Sequence, residues 1–331
     1  MPRWYDAPAD IHKGYIFNFI IGGRGIGKTY GLLEYMMKNG YNFIYLRRSN
    51  TEIKVCSREA GNPFKKLNDD LDCYYFIEGS EEISVIRYMD ENENKHTIGY
   101  AAALSTFSNM RGVDFSDIEY IIFDEFVPQN ETRKLIKNEL EAFLNFYETV
   151  NRNRELLGQD PVRVFFLSNA VSIASPILTG LDLTKVIEKM IKKDQRYYYN
   201  NEKSIMIHLP FDSEFAAEKG ETFLYKLTSG MAFSKHALQN MFAYDSFFNV
   251  KSKNIKEYTP VCAYDNMYIY KHKTGPEYYV CYARADCPVY DSDSKDLFRR
   301  KYGIKFKTAI IEGRMIFSEY SIKTLLSEIV W

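Results

Sequence analysis

Gly22-Gly23-Arg24-Gly25-Ile26-Gly27-Lys28-Thr29 is the stretch from which the rest of the chain is read. It matches G-x-x-x-x-G-K-[ST] and follows an apolar run at 16–21. It precedes a segment in which Leu32, Leu33, Met36 and Met37 recur at helical spacing up to Asn39-Gly40. Strand, glycine loop and helix in that order form a phosphate-binding loop. The glycines allow a tight turn whose backbone N–H groups and helix start face phosphates. Within it Lys28 is placed to neutralise the β- and γ-phosphates of ATP, and the Thr29 hydroxyl to ligate Mg²⁺. A glycine-rich turn arising by chance would not bring both flanks with it.

Apolar runs at 43–47, 120–123 and 163–168 read as further strands, and amphipathic segments separate them, the pattern of a mostly parallel sheet covered by helices. The run at 120–123 ends in Asp124-Glu125. Asp124 is expected to hold Mg²⁺ through its water shell. Glu125, where the chain turns at the strand end, is expected to approach the γ-phosphate and polarise the attacking water. An acid directly after the metal-binding one marks the hydrolysing class of P-loop proteins. Ser168-Asn169 closes the run at 163–168, where such residues sense phosphate or hold the lytic water, and where they are also ordinary strand ends.

Between 132 and 154, Ile136, Leu140, Phe143, Tyr147 and Val150 advance by four, three, four and three residues, which predicts one long helix ended by Gly158 and Pro161. Hydrolysis leaves charge on the γ-phosphoryl group that an arginine commonly stabilises, an effect worth roughly 10³–10⁵ in rate. Arg152 and Arg154 are the candidates. Arg154 continues the stripe through Tyr147 and Val150 and reads as an anchor of the helix end. Arg152 lies about 200° around the helix from Val150, off the packed face, free to reach a neighbouring subunit or to stand in solvent.

The 331 residues, 46% apolar and 26% charged with a net charge of −1, leave room for two modest domains. Balanced charge excludes a surface that is basic overall. Contact with nucleic acid therefore falls to local clusters, Lys185, Lys189, Lys192, Lys193 and Arg196, or Arg299, Arg300, Lys301, Lys305 and Lys307, each of which reads equally as a solvated face. Five cysteines without a C-x-x-C pair argue against a disulfide framework or a Cys-rich zinc site, and suit a reducing cytoplasm. No secretion signal opens the sequence, and Ser, Asn, Pro and Gly interrupt the uncharged stretch 164–181, so no membrane span is expected. The strand–helix alternation fades after about Asp182. The expected division is an α/β P-loop domain at 1–208, a connecting region at 209–248 and a β-rich domain at 249–331. In the last, runs at 261–272 and 277–285 flank Lys273-Thr274-Gly275-Pro276 as a hairpin.

Several of these segments, taken in order, closely resemble one family. They are Asn18-Phe19-Ile20-Ile21 with the glycine loop, Phe43-Ile44-Tyr45-Leu46-Arg47-Arg48, Ile122-Phe123-Asp124-Glu125-Phe126, Arg152-Asn153-Arg154-Glu155 and Leu167-Ser168-Asn169-Ala170-Val171-Ser172. The family is the DNA-packaging ATPases, or encapsidation proteins, of phi29-type bacteriophages, and the resembling motifs run from about 16 to 173. The resemblance implies an ASCE-type P-loop ATPase that uses ATP and Mg²⁺ and forms a homo-oligomeric ring, pentameric in the family. Such a ring docks on the portal (connector) protein of an empty prohead in the host cell cytoplasm and drives double-stranded DNA inward. In phages of this type a structural packaging RNA is a further candidate partner, bridging motor and portal. The family's trans-acting arginine falls on Arg152. The family's C-terminal domain looks like a degenerate RNase H-type nuclease that has lost its metal-binding acids, and the last third of this chain resembles the family only in size and β-rich texture. Asp265 and Asp286 have no acidic cluster around them, so no cleavage is expected. The chain departs from the family at Ser49-Asn50-Thr51, which lacks a basic residue that the family can carry there. Two other readings stay open: an ATP-dependent helicase or recombinase of related fold, and a nucleotide-gated assembly protein.

Overall fold

The computed structural model describes residues 5–79, 84–110, 112–127, 136, 138–169, 175–210, 218, 220–228 and 249–330. These form two compact units, Met1–Ile177 with Met190–Ala243, and Leu178–Lys189 with Tyr244–Trp331. The connecting region expected at 209–248 lies largely outside the described residues, as do Ala170 to Ser172 of the resembling segments.

The first unit is built on the strands β1 (Phe17–Gly22), β2 (Phe43–Arg47), β3 (Tyr74–Gly79), β4 (Ser84–Met89), β5 (Lys95–Ala103), β6 (Tyr120–Asp124), β7 (Arg163–Asn169), β8 (Tyr197–Asn200) and β9 (Ile205–His208). Among the described residues they make one sheet in the order β3-β4-β5-β2-β6-β7-β1-β9-β8. β5, β2, β6, β7, β1 and β9 run parallel, and β3, β4 and β8 add antiparallel edges. The four strands expected from the sequence are the centre of this sheet. Their Ile, Phe, Val and Leu residues are buried on both faces, which is why they read as unbroken apolar runs. The outer strands carry tyrosines and charged residues on half-exposed faces and gave no such run. The fading of alternation after Asp182 is corrected by β9, which pairs with β1 directly.

The helix Lys28–Asn39 buries Leu32, Leu33 and Met36 and stops where expected, at Gly40 with φ +67°. The long helix expected across 132–154 is shorter. It spans Glu139–Asn151, packing Phe143 against Phe166 with ring centroids 4.8 Å apart. Residues 132–135 and 137 lie outside the described set, and Ile136 is not helical. At the other end Arg152 and Asn153 take φ +41° and +58°, so Arg154 begins a separate 3₁₀ turn. The helical angle between Val150 and Arg152 therefore does not apply, because the helix has closed before Arg152.

The second unit holds β10 (Tyr258–Tyr264), β11 (Met267–His272), β12 (Tyr278–Cys281), β13 (Val289–Tyr290) and β14 (Met315–Phe317), in the order β13-β10-β11-β12-β14. The run at 261–272 is thus two strands. Asp265, at φ +50°, and Asn266 make the turn between them, side chains that tolerate the left-handed backbone of a two-residue hairpin. The turn at 273–276 joins β11 to β12 as expected. Phe298, Tyr302, Phe306 and Ala309, from the helical run 295–311, and Ile322 and Leu326, from the helix Tyr320–Val330, share a core with Val280, Met315 and Phe317. This unit is α/β, not mainly β.

Candidate active site

Parallel register assembles the site. Gly22 pairs with Asn169, Asp124 with Leu167, and Leu46 with Phe123, so that Arg47 follows beside Asp124. The C-terminal ends of β2, β6, β7 and β1 deliver their polar residues to one edge, where open α/β sheets bind ligands. β7 lies between the strand that precedes the glycine loop and the strand that ends in Asp124.

Gly25 (φ +84°) and Gly27 (φ +86°) turn the loop into the helix Lys28–Asn39 through left-handed backbone that side chains resist. The N-cap is Gly27, which has no side chain to cap the first helical turn. Arg24, Gly25, Gly27, Lys28 and Thr29 line a cavity of about 720 Å³ together with Asp124, Glu125, Ser168 and Asn169. Gly22 and Gly23 supply carbonyls to the Lys28 ammonium, at 3.1 and 2.7 Å, and Asn169 Oδ1 lies 3.5 Å from it. Ile26 turns its side chain into the core, and its carbonyl accepts from the Tyr5 N–H at 2.9 Å, which ties the loop to the N-terminal segment.

Thr29 Oγ1 donates to Asp124 Oδ1 at 3.2 Å. The second oxygen of Asp124 accepts from the buried Tyr45 hydroxyl at 2.7 Å and lies 3.3 Å from Arg47 Nη1. Glu125 stands at φ +52°, the sharp turn that carries its side chain back to the cavity. Arg47 Nη2 donates to Glu125 Oε2 at 2.7 Å and lies 3.5 Å from Glu52. Burial disfavours the Arg47 charge, but the Tyr45 hydroxyl and the carboxylates of Asp124, Glu125 and Glu52 outweigh it, holding the guanidinium above its ordinary pKa. Burial, followed by the Asp124 charge, likewise pushes the Tyr45 hydroxyl well up. Arg48 turns the other way into a buried two-point pair with Glu139, at 2.7 and 3.0 Å, and so fixes the start of the helix that ends at Asn151.

The donor set fits Mg-ATP. A helix start capped by glycine and a lysine line a cavity of nucleotide size, and a hydroxyl beside a carboxylate offers the hard oxygens that Mg²⁺ takes. Arg152 is not brought to this cavity. Its helix runs back about 20 Å along the sheet. Asn151 then accepts from the N–H of Val162, the residue before β7, at the end of the sheet away from the cavity. There Arg152 Nη2 donates to the Val113 carbonyl at 2.7 Å, and its side chain stays 47% exposed. Arg154 is buried and donates to the Phe115 and Ser116 carbonyls, as an anchor should. Arg47, Tyr45 and Tyr5 were not singled out from the sequence. An arginine closing a strand was the available signal for Arg47, but it points to Asp124 only once β2 is known to adjoin β6.

Fold and site define a P-loop nucleotide-binding α/β protein of the class with a strand inserted between the loop strand and the acid-bearing strand. Residues 3–327 match the family described as podovirus DNA encapsidation protein (Gp16), and the chain belongs to that family, as the motif resemblance implied. It is 32% identical over 247 residues to the DNA packaging protein of Bacillus phage B103, spanning 73% of this chain and 69% of that protein. It is 30% identical over 259 residues to the DNA packaging protein of Bacillus phage phi29, spanning 76% and 70%. The fold is also that of a chain in the bacteriophage Phi-29 viral genome packaging motor assembly, with a TM-score of 0.64 and 23% identity over 99% of this chain and 98% of that one.

Proposed function

We propose that the chain is an ATP-hydrolysing subunit of a ring motor that drives double-stranded viral DNA into a preformed prohead. The observation that carries this reading is the convergence of Lys28, Thr29, Asp124 and Glu125 on one cavity at the C-terminal edge of the sheet. In this reading Lys28 neutralises the β- and γ-phosphates, and Thr29 with Asp124 holds Mg²⁺, which when bound offsets the phosphate charge. Glu125 orients a water molecule for in-line attack on the γ-phosphorus and accepts its proton, and ADP leaves as the P–O bond breaks. Ser168 and Asn169 stand where they can report the γ-phosphate.

Arg152 supplies the stabilising cation to the site of an adjacent copy. Its exposure, and its position at the sheet end away from its own cavity, support action between subunits. The reading includes a homo-oligomeric ring, a pentamer, with the portal protein, double-stranded DNA and a packaging RNA as partners; membership of a DNA encapsidation family supports its DNA-packaging part. The place of action is the portal vertex in the host cytoplasm. The three-part division into an ATPase domain, a connecting region and a C-terminal domain facing nucleic acid or portal belongs to the same reading.

The test is ATP turnover and ATP-dependent protection of duplex DNA from added nuclease, with and without empty proheads. Turnover stimulated by both components, with DNA sheltered inside the prohead, is expected. Separation of the duplex into single strands would favour the helicase reading, and turnover indifferent to DNA and proheads would favour an assembly role.

A further inference from the structure

Arg152 stands half-exposed on a strained turn. Arg152 and Asn153 are consecutive non-glycine residues in left-handed backbone, at φ +41° and +58°. Asparagine tolerates this conformation through local hydrogen bonding; arginine does not, because its β-carbon crowds the following carbonyl. Such a turn persists only where its surroundings over-determine it.

The surroundings do so from both sides. Before the turn, the buried Asn151 side chain donates to Glu155 at 2.7 Å and accepts from the Val162 N–H at 2.9 Å. After it, buried Arg154 donates through Nη2 to the carbonyls of Phe115 at 3.2 Å and Ser116 at 2.6 Å. Arg152 meets the same short segment, at the Val113 carbonyl and at Asp114, 3.5 Å away. One stretch of backbone, 113–116, therefore receives both guanidiniums, one buried and one on the surface. Burying a guanidinium against main-chain carbonyls is a costly way to hold a loop. Here it fixes the one turn that sets where Arg152 points.

We propose that Arg154 is a positioning residue for the reaction: it holds the 152–153 turn so that Arg152 is pre-oriented toward the site of the next copy. This rests on the reading that Arg152 acts between subunits, and it adds a residue that touches neither nucleotide nor partner. Pre-orientation matters because a transition-state cation that must first be ordered loses part of its effect.

The test separates what a subunit donates from what it accepts, using ATP turnover in rings mixed from two variants, with nucleotide affinity measured for each. Arg154→Met keeps the stem and removes the guanidinium. Mixed with Glu125→Gln, whose Arg152 is intact, it contributes sound P-loops and Glu125, and turnover should return. Mixed with Arg152→Ala, whose own sites are sound but need a neighbour's arginine, it should stay at least about tenfold below a Glu125→Gln and Arg152→Ala mixture. A residue that merely supports the fold would lower both mixtures alike. Turnover equal in the two, whether high or low, overturns the proposal. If Arg154→Met does not fold, Arg154→Lys, which keeps the charge but not the fork, should accept normally and donate poorly; donation at the wild-type level overturns the proposal. Wild-type turnover by Arg152→Ala alone would instead remove the reading beneath it, and that control is read before Arg154 is changed.

Discussion

The Arg47 guanidinium donates to the Glu125 carboxylate at 2.7 Å, so the acid read as the water-polarising group is bonded to a cation from the neighbouring strand. The same guanidinium faces Asp124 and Glu52, which makes it the common counter-ion of three carboxylates at the mouth of the site. Its raised pKa has a definite consequence for stability. A group raised in the folded state contributes fully below its unfolded pKa and loses its contribution only as pH rises through the folded one. For an arginine that window lies beyond any working pH, so Arg47 should impose no pH dependence of its own. Removing it is another matter. Arg47→Gln leaves the carboxylates uncompensated in a largely buried place and should cost about 3–5 kcal/mol, read as a lower melting temperature, with turnover reduced as well. A variant that melts with the wild type would contradict this network.

Lys28→Ala should abolish productive Mg-ATP binding while leaving the fold intact, since the shortest bonds of the Lys28 ammonium are to the Gly22 and Gly23 carbonyls of its own loop. Equilibrium binding of a fluorescent ATP analogue is the measurement. Asp124→Asn should lower turnover and raise the Mg²⁺ concentration that turnover requires, and chelation should silence the wild type. Wild-type affinity in Lys28→Ala, or full turnover in excess EDTA, would count against the site.

The second unit should bind without cutting. Asp265 is spent on the turn between β10 and β11, its N–H donating to the Tyr290 carbonyl at 2.7 Å, and Asp286 is exposed. Among the described residues no group of three or more His, Cys, Asp or Glu side chains gathers as a metal site. Duplex DNA incubated with the protein and Mn²⁺ should stay intact. Cleavage that Asp265→Asn abolishes would overturn this.

What could be read from the sequence follows burial. β1, β2, β6 and β7 are buried on both faces, so each announces itself as an apolar run, and the glycine loop and Asp124-Glu125 sit at their ends. β3 and β8 are the edge strands of the sheet and β4 lies next to β3, and there Tyr, Glu and Arg cover half-exposed faces and the strand signal is diluted. The end of the helix before Arg152 was hidden for a different reason. No glycine or proline marks the left-handed turn at Arg152-Asn153, and the bonds on either side of it, from Asn151 and Arg154, are tertiary. Arg47 was hidden by distance, since 78 residues separate it from Glu125 and strand order alone brings them together.

The most direct measurement of the central claim, an active site shared between copies, is ATP turnover in mixtures of Arg152→Ala and Glu125→Gln. Each variant alone should bind ATP and hydrolyse it slowly, because the arginine and the acid act on charge and a proton that appear only in the transition state. In a mixed ring some interfaces join an intact Glu125 from one chain to an intact Arg152 from the other, and partial activity should return. If both variants are inactive alone and no mixture recovers activity despite verified co-assembly, the shared site is contradicted.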